Sequence, residues 1–197
     1  MRVTIEPYNP IWPDLFLKEK VIIEKALGPT AAIEHIGSTA VQGLAAKPIV
    51  DMLVGLPNTD ALDKCVQPML AAGYTYVKKY EPLWPTRRFF MRLRATETVP
   101  PAIIDVQDGY LIGEDFISLT HIHIIVKDTY DWVRHIAFRE FMRAHPHIRA
   151  EYATLKMQLS TQAFRDGLAY NDAKNIFVKK TEAQALQWYR QSLDGNF

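Results

Sequence analysis

A chain of 197 residues, 48% hydrophobic and 11% aromatic, has enough apolar material for a well-buried core and is neither a disordered chain nor a small stapled scaffold. Its 23 basic and 22 acidic residues leave a formal net charge of +1, which argues against a strong nucleic-acid footprint while leaving room for a local patch. The lone Cys65 has no internal disulfide partner, no window is apolar enough to span a bilayer, and residues 1–10 lack the apolar run of a signal peptide, so a reducing cytoplasm is the expected setting.

Residues 12–27 read as the first helix, with Trp12, Leu15, Phe16, Ile22, Ile23, Ala26 and Leu27 at helical spacing, Pro13 early and Gly28-Pro29 as the stop. A short strand is expected over 31–35, and a second over 49–54 that is almost wholly apolar and therefore central. Asn58 or Thr59 caps a helix bearing Leu62, Cys65, Val66 and Met69, kinked by Pro68 and ended by Gly73. Strands follow over 74–80 and 88–94, separated by Pro82-Leu83-Trp84-Pro85. The stretch 95–119 is the least regular, with a short strand at 103–107, before a clear strand over 120–126. Helical patterns then cover 128–144, 148–165 and 171–193. Strands with interspersed helices followed by a helical tail indicate an α/β (α+β) fold: a mixed sheet flanked by helices with a C-terminal helical extension. We expect one domain over 1–197, its core about 1–127 and its C-terminal helices about 128–197.

The segment from His35 to Asp51 carries the chemistry. A strand runs into Gly37-Ser38, a small-residue loop follows, and the chain returns as an apolar strand interrupted by one carboxylate. Glycine lets backbone N–H groups approach an oxyanion, and the Ser38 and Thr39 hydroxyls add donors; the plain alternative is an ordinary capped turn. Asp51 is costly in such a strand unless paired or metal-bound; its structural alternatives are an ion pair with Lys47 or an arginine, or a place at the strand's exposed end.

Gly37-Ser38, twelve residues and then Asp51 resembles the Gly-Ser…Asp signature of the nucleotidyltransferase superfamily. The fuller string from His35-Ile36-Gly37-Ser38-Thr39 to Lys47-Pro48-Ile49-Val50-Asp51 is similar to the GrpB family within it. Tyr8-Asn9-Pro10-Ile11-Trp12-Pro13, His121-Ile122-His123, Tyr152-Ala153-Thr154-Leu155-Lys156 and Tyr170-Asn171-Asp172-Ala173-Lys174 agree with it too, so the resemblance spans nearly everything but 95–119. It implies a nucleotidyltransferase-like fold and a site for a nucleotide or other phosphorylated small molecule. Superfamily members use carboxylates two residues apart to hold two Mg²⁺ ions. Here the second position is Leu53, which puts ordinary two-metal transfer in doubt. The resemblance also points to an accessory role, since GrpB-like domains occur fused to dephospho-coenzyme A kinases. A regulatory domain that has kept the fold and lost the chemistry is the rival reading.

The expected site then comprises Gly37, Ser38, Thr39, Lys47, Arg88, Lys156 and Lys174 on phosphate, with Asp51 and His123 as catalytic groups. Asp51, His121 and His123 are the metal candidates; a mixed nitrogen–oxygen set suits Zn or Mn better than Mg. Two apart on a strand, the histidines share a face, which a solvated sheet surface would also produce. Arg88, Phe90, Arg92 and Arg94 alternate onto one face that either lines the cleft or is solvated, and Asp105 is a remote substitute for the missing acid. Tyr152, Lys156, Tyr170 and Lys174 either reach the ligand or pack along helix surfaces.

Overall fold

The computed structural model describes residues 2–97, 99–110 and 115–193. The element order is α1 (Trp12–Leu27), β1 (Ala32–Ile36), β2 (Val50–Leu56), α2 (Thr59–Lys64), α3 (Val66–Ala71), β3 (Thr75–Tyr76), β4 (Arg87–Ala95), β5 (Phe116–Val126), then α4 (Tyr130–Ala144), α5 (Pro146–Ser160), α6 (Gly167–Ala173) and α7 (Asn175–Leu193). The strands form one mixed sheet in the order β1-β2-β5-β4-β3, with β2 and β5 parallel and the other neighbours antiparallel. This is the expected mixed sheet flanked by helices. None of the described helices is long and apolar enough to cross a membrane.

Pleating sends alternate residues to opposite faces, so register decides what meets what. One face carries Val50, Met52, Val54, Phe90, Ile122 and Ile124, which pack with Ile23 of α1, Leu62 of α2 and Met69 of α3 into the main core. The other face carries Ile36, Leu53 and Ile125, covered by Trp132 and Ile136 of α4. Gly55 is what lets α4 come so close: a Cβ there would stand 2.6 Å from Trp132 Cζ3. Further along, Met142 of α4, Tyr152 of α5 and the loop residues Val41 and Leu44 form a separate cluster, and α4 packs on α7 through Ala137, Phe141, Ala185 and Leu186.

Several elements depart from the expected boundaries for identifiable reasons. The helix over 58–73 does not bend at Pro68 but breaks one turn earlier, at Cys65. A proline ring collides with the carbonyl four residues back, here Lys64, where α2 ends. The strand at 74–80 shrinks to Thr75–Tyr76, and Lys78–Tyr80 winds into a 3₁₀ turn. The irregular stretch 95–119 includes the first residues of β5, where Phe116 pairs with Ala95. Of the 103–107 strand only an Ile103–Tyr76 bridge forms, with Ile104 fully buried beside it; residues 98 and 111–114 of that stretch lie outside the described residues. The last predicted helix is two: Asp166 caps α6 through Ala169 N–H at 2.8 Å, and α7 starts at Asn175.

Candidate functional site

β1 ends at Ile36, opposite Asp51 of β2, and the chain turns at Gly37 into a single 3₁₀ turn, Ser38–Ala40. Gly37 has φ 70° and ψ −169°, a region essentially restricted to glycine. A Cβ there would also lie 2.9 Å from Asp51 Cβ, pressed into its carboxylate. The glycine thus lets the turn lie directly on Asp51. Thr39 is buried and its Oγ1 meets His35 Nε2 at 3.0 Å, so this hydroxyl fixes the turn instead of facing a ligand. Burial holds the His35 imidazole down at about 4, against the opposing pull of Asp51.

One lysine from a distant part of the chain reaches Ser38, and two more share a tyrosine ring. Lys156, on α5 and only 2% exposed, places Nζ 2.9 Å from Ser38 Oγ, donates to the Ala45 carbonyl and lies 4.6 Å from the Tyr152 ring centre. Lys47 and Lys174, which follows α6, share the Tyr170 ring at 4.3 and 4.9 Å. Among the described residues none of the three has a carboxylate within ion-pair range. Burial therefore pushes Lys47 down to about 8 and Lys156 to about 7, with Lys174 adding repulsion; Lys174 itself is lowered, chiefly by burial. Asp51 works against the depression at all three, which places its carboxylate in their common field. Charged groups this short of hydration and counter-charge are costly to keep charged.

The parallel pairing sets Asp51 beside His121 and Leu53 beside His123, all on one sheet face. His121 Nδ1 stands 3.3 Å from Asp51 Oδ1, and both side chains are partly exposed. His123 is different. It stacks on Phe89 with ring centres 4.9 Å apart, and its Nδ1 lies 3.3 Å from Arg87 Nη1. Burial first, then Arg87, His135 and His121, hold it well below the usual imidazole range. Among the described residues no three histidine, cysteine or carboxylate groups converge to hold a metal ion. Of the expected Asp51, His121 and His123 set only the first two touch, and an arginine at the third does not fit a cation centre. The imidazole that reaches Asp51 is His121, not His123.

Three further expectations are corrected by register. Arg88 shares its face with Ile124 and Phe90, the α2 side of the sheet, where Asp63 at 2.6 Å and Glu81 at 3.1 Å hold it. Arg92 on the same face meets Glu19 of α1 at 2.7 Å. Neither reaches the site. Asp105 pairs with Lys78 at 3.0 Å and substitutes for nothing near Asp51. Arg87, the residue that does face His123, lies one position before the strand expected over 88–94, outside its alternating row of arginines; the pairing of Phe89 with His123 puts it on the site's face.

A model of the family described as GrpB protein matches residues 2–184. The UPF0157 protein YqkA of Bacillus subtilis is 32% identical over 99% of this chain, which spans 50% of that relative's length. A UPF0157 protein of Halalkalibacterium halodurans is 33% identical over 93% of the chain and 82% of its own length. The dephospho-CoA kinase of Mycolicibacterium paratuberculosis is 27% identical, the chain spanning 46% of it. Among solved structures, the conserved protein GrpB from Enterococcus faecalis superposes with a TM-score of 0.74 at 31% identity, covering 94% of this chain and 99% of that one. The chain belongs to the GrpB family.

Proposed function

We propose that this protein binds a phosphorylated small molecule, a nucleotide by its resemblance to the nucleotidyltransferase superfamily, between the Gly37–Ala40 turn and the C-terminal helices. The observation that carries this reading is the lysine trio. Lys156 is buried against Ser38, Lys47 and Lys174 are partly buried against the Tyr170 ring, and none of the three has an ion-pair partner among the described residues. A phosphate dianion would favour the charged form of all three and accept hydrogen bonds from Ser38 and the ammonium groups. The similarity to dephospho-CoA kinases of about twice this chain's length is compatible with a nucleotide-related ligand. His121, held by Asp51, is the imidazole placed to exchange a proton at the edge of such a ligand.

A non-catalytic, accessory reading is favoured by Leu53, which is fully buried beneath Trp132 and Ile136 of α4 where a second carboxylate would stand. In this reading the positive charge that meets the phosphate is supplied by lysines. The test is a thermal-shift series with AMP, ADP and dephospho-coenzyme A, each with and without EDTA. Ligand at a hundred times Kd stabilises by about 2.7 kcal/mol, roughly a 5–10 °C rise in Tm for a chain of this size. We expect that rise to survive EDTA and to disappear in Lys156→Met and Lys174→Met. No response to any phosphorylated ligand, or a response indifferent to both lysines, overturns the reading; a response abolished by EDTA reinstates a metal.

A further inference from the structure

Arg88, Arg92, Arg134 and Arg139 each meet one or two carboxylates at 2.6–3.1 Å. Arg87 does not. Among the described residues it has no carboxylate in ion-pair range; its Nη1 meets His123, its guanidinium lies 5.4 Å from the Trp84 ring centre, and its Nε is buried without a hydrogen-bond partner. Burial and the nearby Arg134 work against its charge more strongly than Asp131 supports it. Beside it lies a cleft of about 440 Å³ lined by Trp84, Arg134, Asn171 and Asn175. Asp131 borders the cleft as well but is held by Arg134 at 2.7 Å.

We propose that this cleft is a second oxyanion site, in which the Arg87 guanidinium takes a carboxylate or phosphate group and the Asn171 and Asn175 amides complete its hydrogen bonds. With Nη1 on His123 and Nε enclosed, Nη2 is the nitrogen left for an anion, and a partly buried guanidinium without a counter-charge is expensive until one arrives. The site goes beyond the lysine cluster. Asp51 pairs with His121 and Arg87 with Ile125, which sets them four residues apart along β5 and two strands over, roughly 13 Å by 10 Å. Lys174 sits between Asn171 and Asn175, so one short stretch of chain borders both. The Arg87 site is therefore placed for the second anionic group of a long ligand, or for a separate anionic co-ligand.

The indole N–H signal of Trp84, identified by its loss in Trp84→Phe, reports this cleft in ¹H–¹⁵N spectra. Inorganic phosphate and malonate are titrated separately at constant ionic strength. A saturable shift is expected in the parent protein and equally in Lys156→Met. Kd should rise about tenfold or more in Arg87→Gln, the loss expected for a charged hydrogen-bonded contact, and less in Arg87→Lys. Response to phosphate alone or malonate alone assigns the group; response to both leaves the oxyanion chemistry shared. No saturable shift with either anion, an unchanged Kd in a folded Arg87→Gln, or loss of the shift in Lys156→Met overturns the second site. A Tm response to AMP, together with no saturable Trp84 shift on phosphate or malonate, would leave the lysine reading standing and this one refuted.

Discussion

A lysine ammonium enclosed by a serine hydroxyl, a backbone carbonyl and a tyrosine ring keeps little of its hydration, and at Lys156 no carboxylate within ion-pair range makes good the loss. A pKa pulled from 10.5 to about 7 corresponds to of order 4 kcal/mol of stability forgone at neutral pH. Replacing Lys156 by methionine removes that burden and leaves Ser38 and the Ala45 carbonyl short of a donor, at roughly 1–3 kcal/mol. The net expectation is a ligand-free variant stabilised by about 1–2 kcal/mol in urea denaturation at pH 7; destabilisation would mean that the ammonium serves the fold. Gly37→Ala should behave in the opposite way. It forces a glycine-only backbone conformation, at about 1–3 kcal/mol, and pushes Asp51 off the turn, so its denaturation midpoint should fall and its ligand response weaken together. Gly37, Ser38, Asp51 and the three lysines were visible in the sequence because the resemblance named their positions. That Thr39 turns inward to His35, and that Tyr170 sits between two lysines, depends on side-chain directions which spacing does not encode.

Strand parity governs which arginine belongs to the site, and parity follows from pairing partners, not from a strand's own sequence. Arg88 and Arg92 alternate as a binding row would, yet their partners Ile124 and Thr120 put them on the side covered by α1 and α2, where Asp63 and Glu19 meet them. The span of α1 was legible from its periodicity, although Leu15 and Ile22 of the expected apolar face are exposed, and the apolar run around Asp51 marked β2 as a central strand. The α2–α3 break was half legible, since Pro68 announced a disruption but not its place. The contact between α4 and β2 offers a direct check at this scale. Gly55→Ala puts a methyl group 2.6 Å from the Trp132 ring and 2.9 Å from Lys127 Cβ, so α4 must lift or twist. We expect a loss of roughly 1–3 kcal/mol, typical of overpacking, together with a change in near-ultraviolet circular dichroism from Trp132. An unaltered spectrum and midpoint would show that the helix has more play than its packing on Ile36, Leu53 and Ile125 allows.

Across the whole molecule the depressed lysines set a dependence on pH. From the folded values of about 7 and 8 up to about pH 9 the lysines leave the folded state with fewer protons than the unfolded state, so ligand-free stability should rise with pH there. Above it the buried Cys65 thiol, raised to about 12, and the raised buried tyrosines act the other way. Affinity for AMP should run the other way. Its phosphate stays doubly charged above its second pKa near 6, and binding must return protons to Lys47 and Lys156, so Kd should weaken between pH 7.5 and 9.5 and calorimetry should register proton uptake. A flat profile in both quantities would detach the lysines from binding. There is also a consequence in the order of the chain. Ser38 and Lys156 are separated by 118 positions, and Lys174 comes later still. The β1–β2 part of the proposed site leaves the ribosome long before Lys156 on α5 and Lys174 after α6, so the proposed ligand meets both parts only once these segments have docked. Bound as proposed, AMP would latch that docking surface: amide hydrogens of α5 and α6 should exchange more slowly when AMP is bound, while those of β2 and β5 keep their rates.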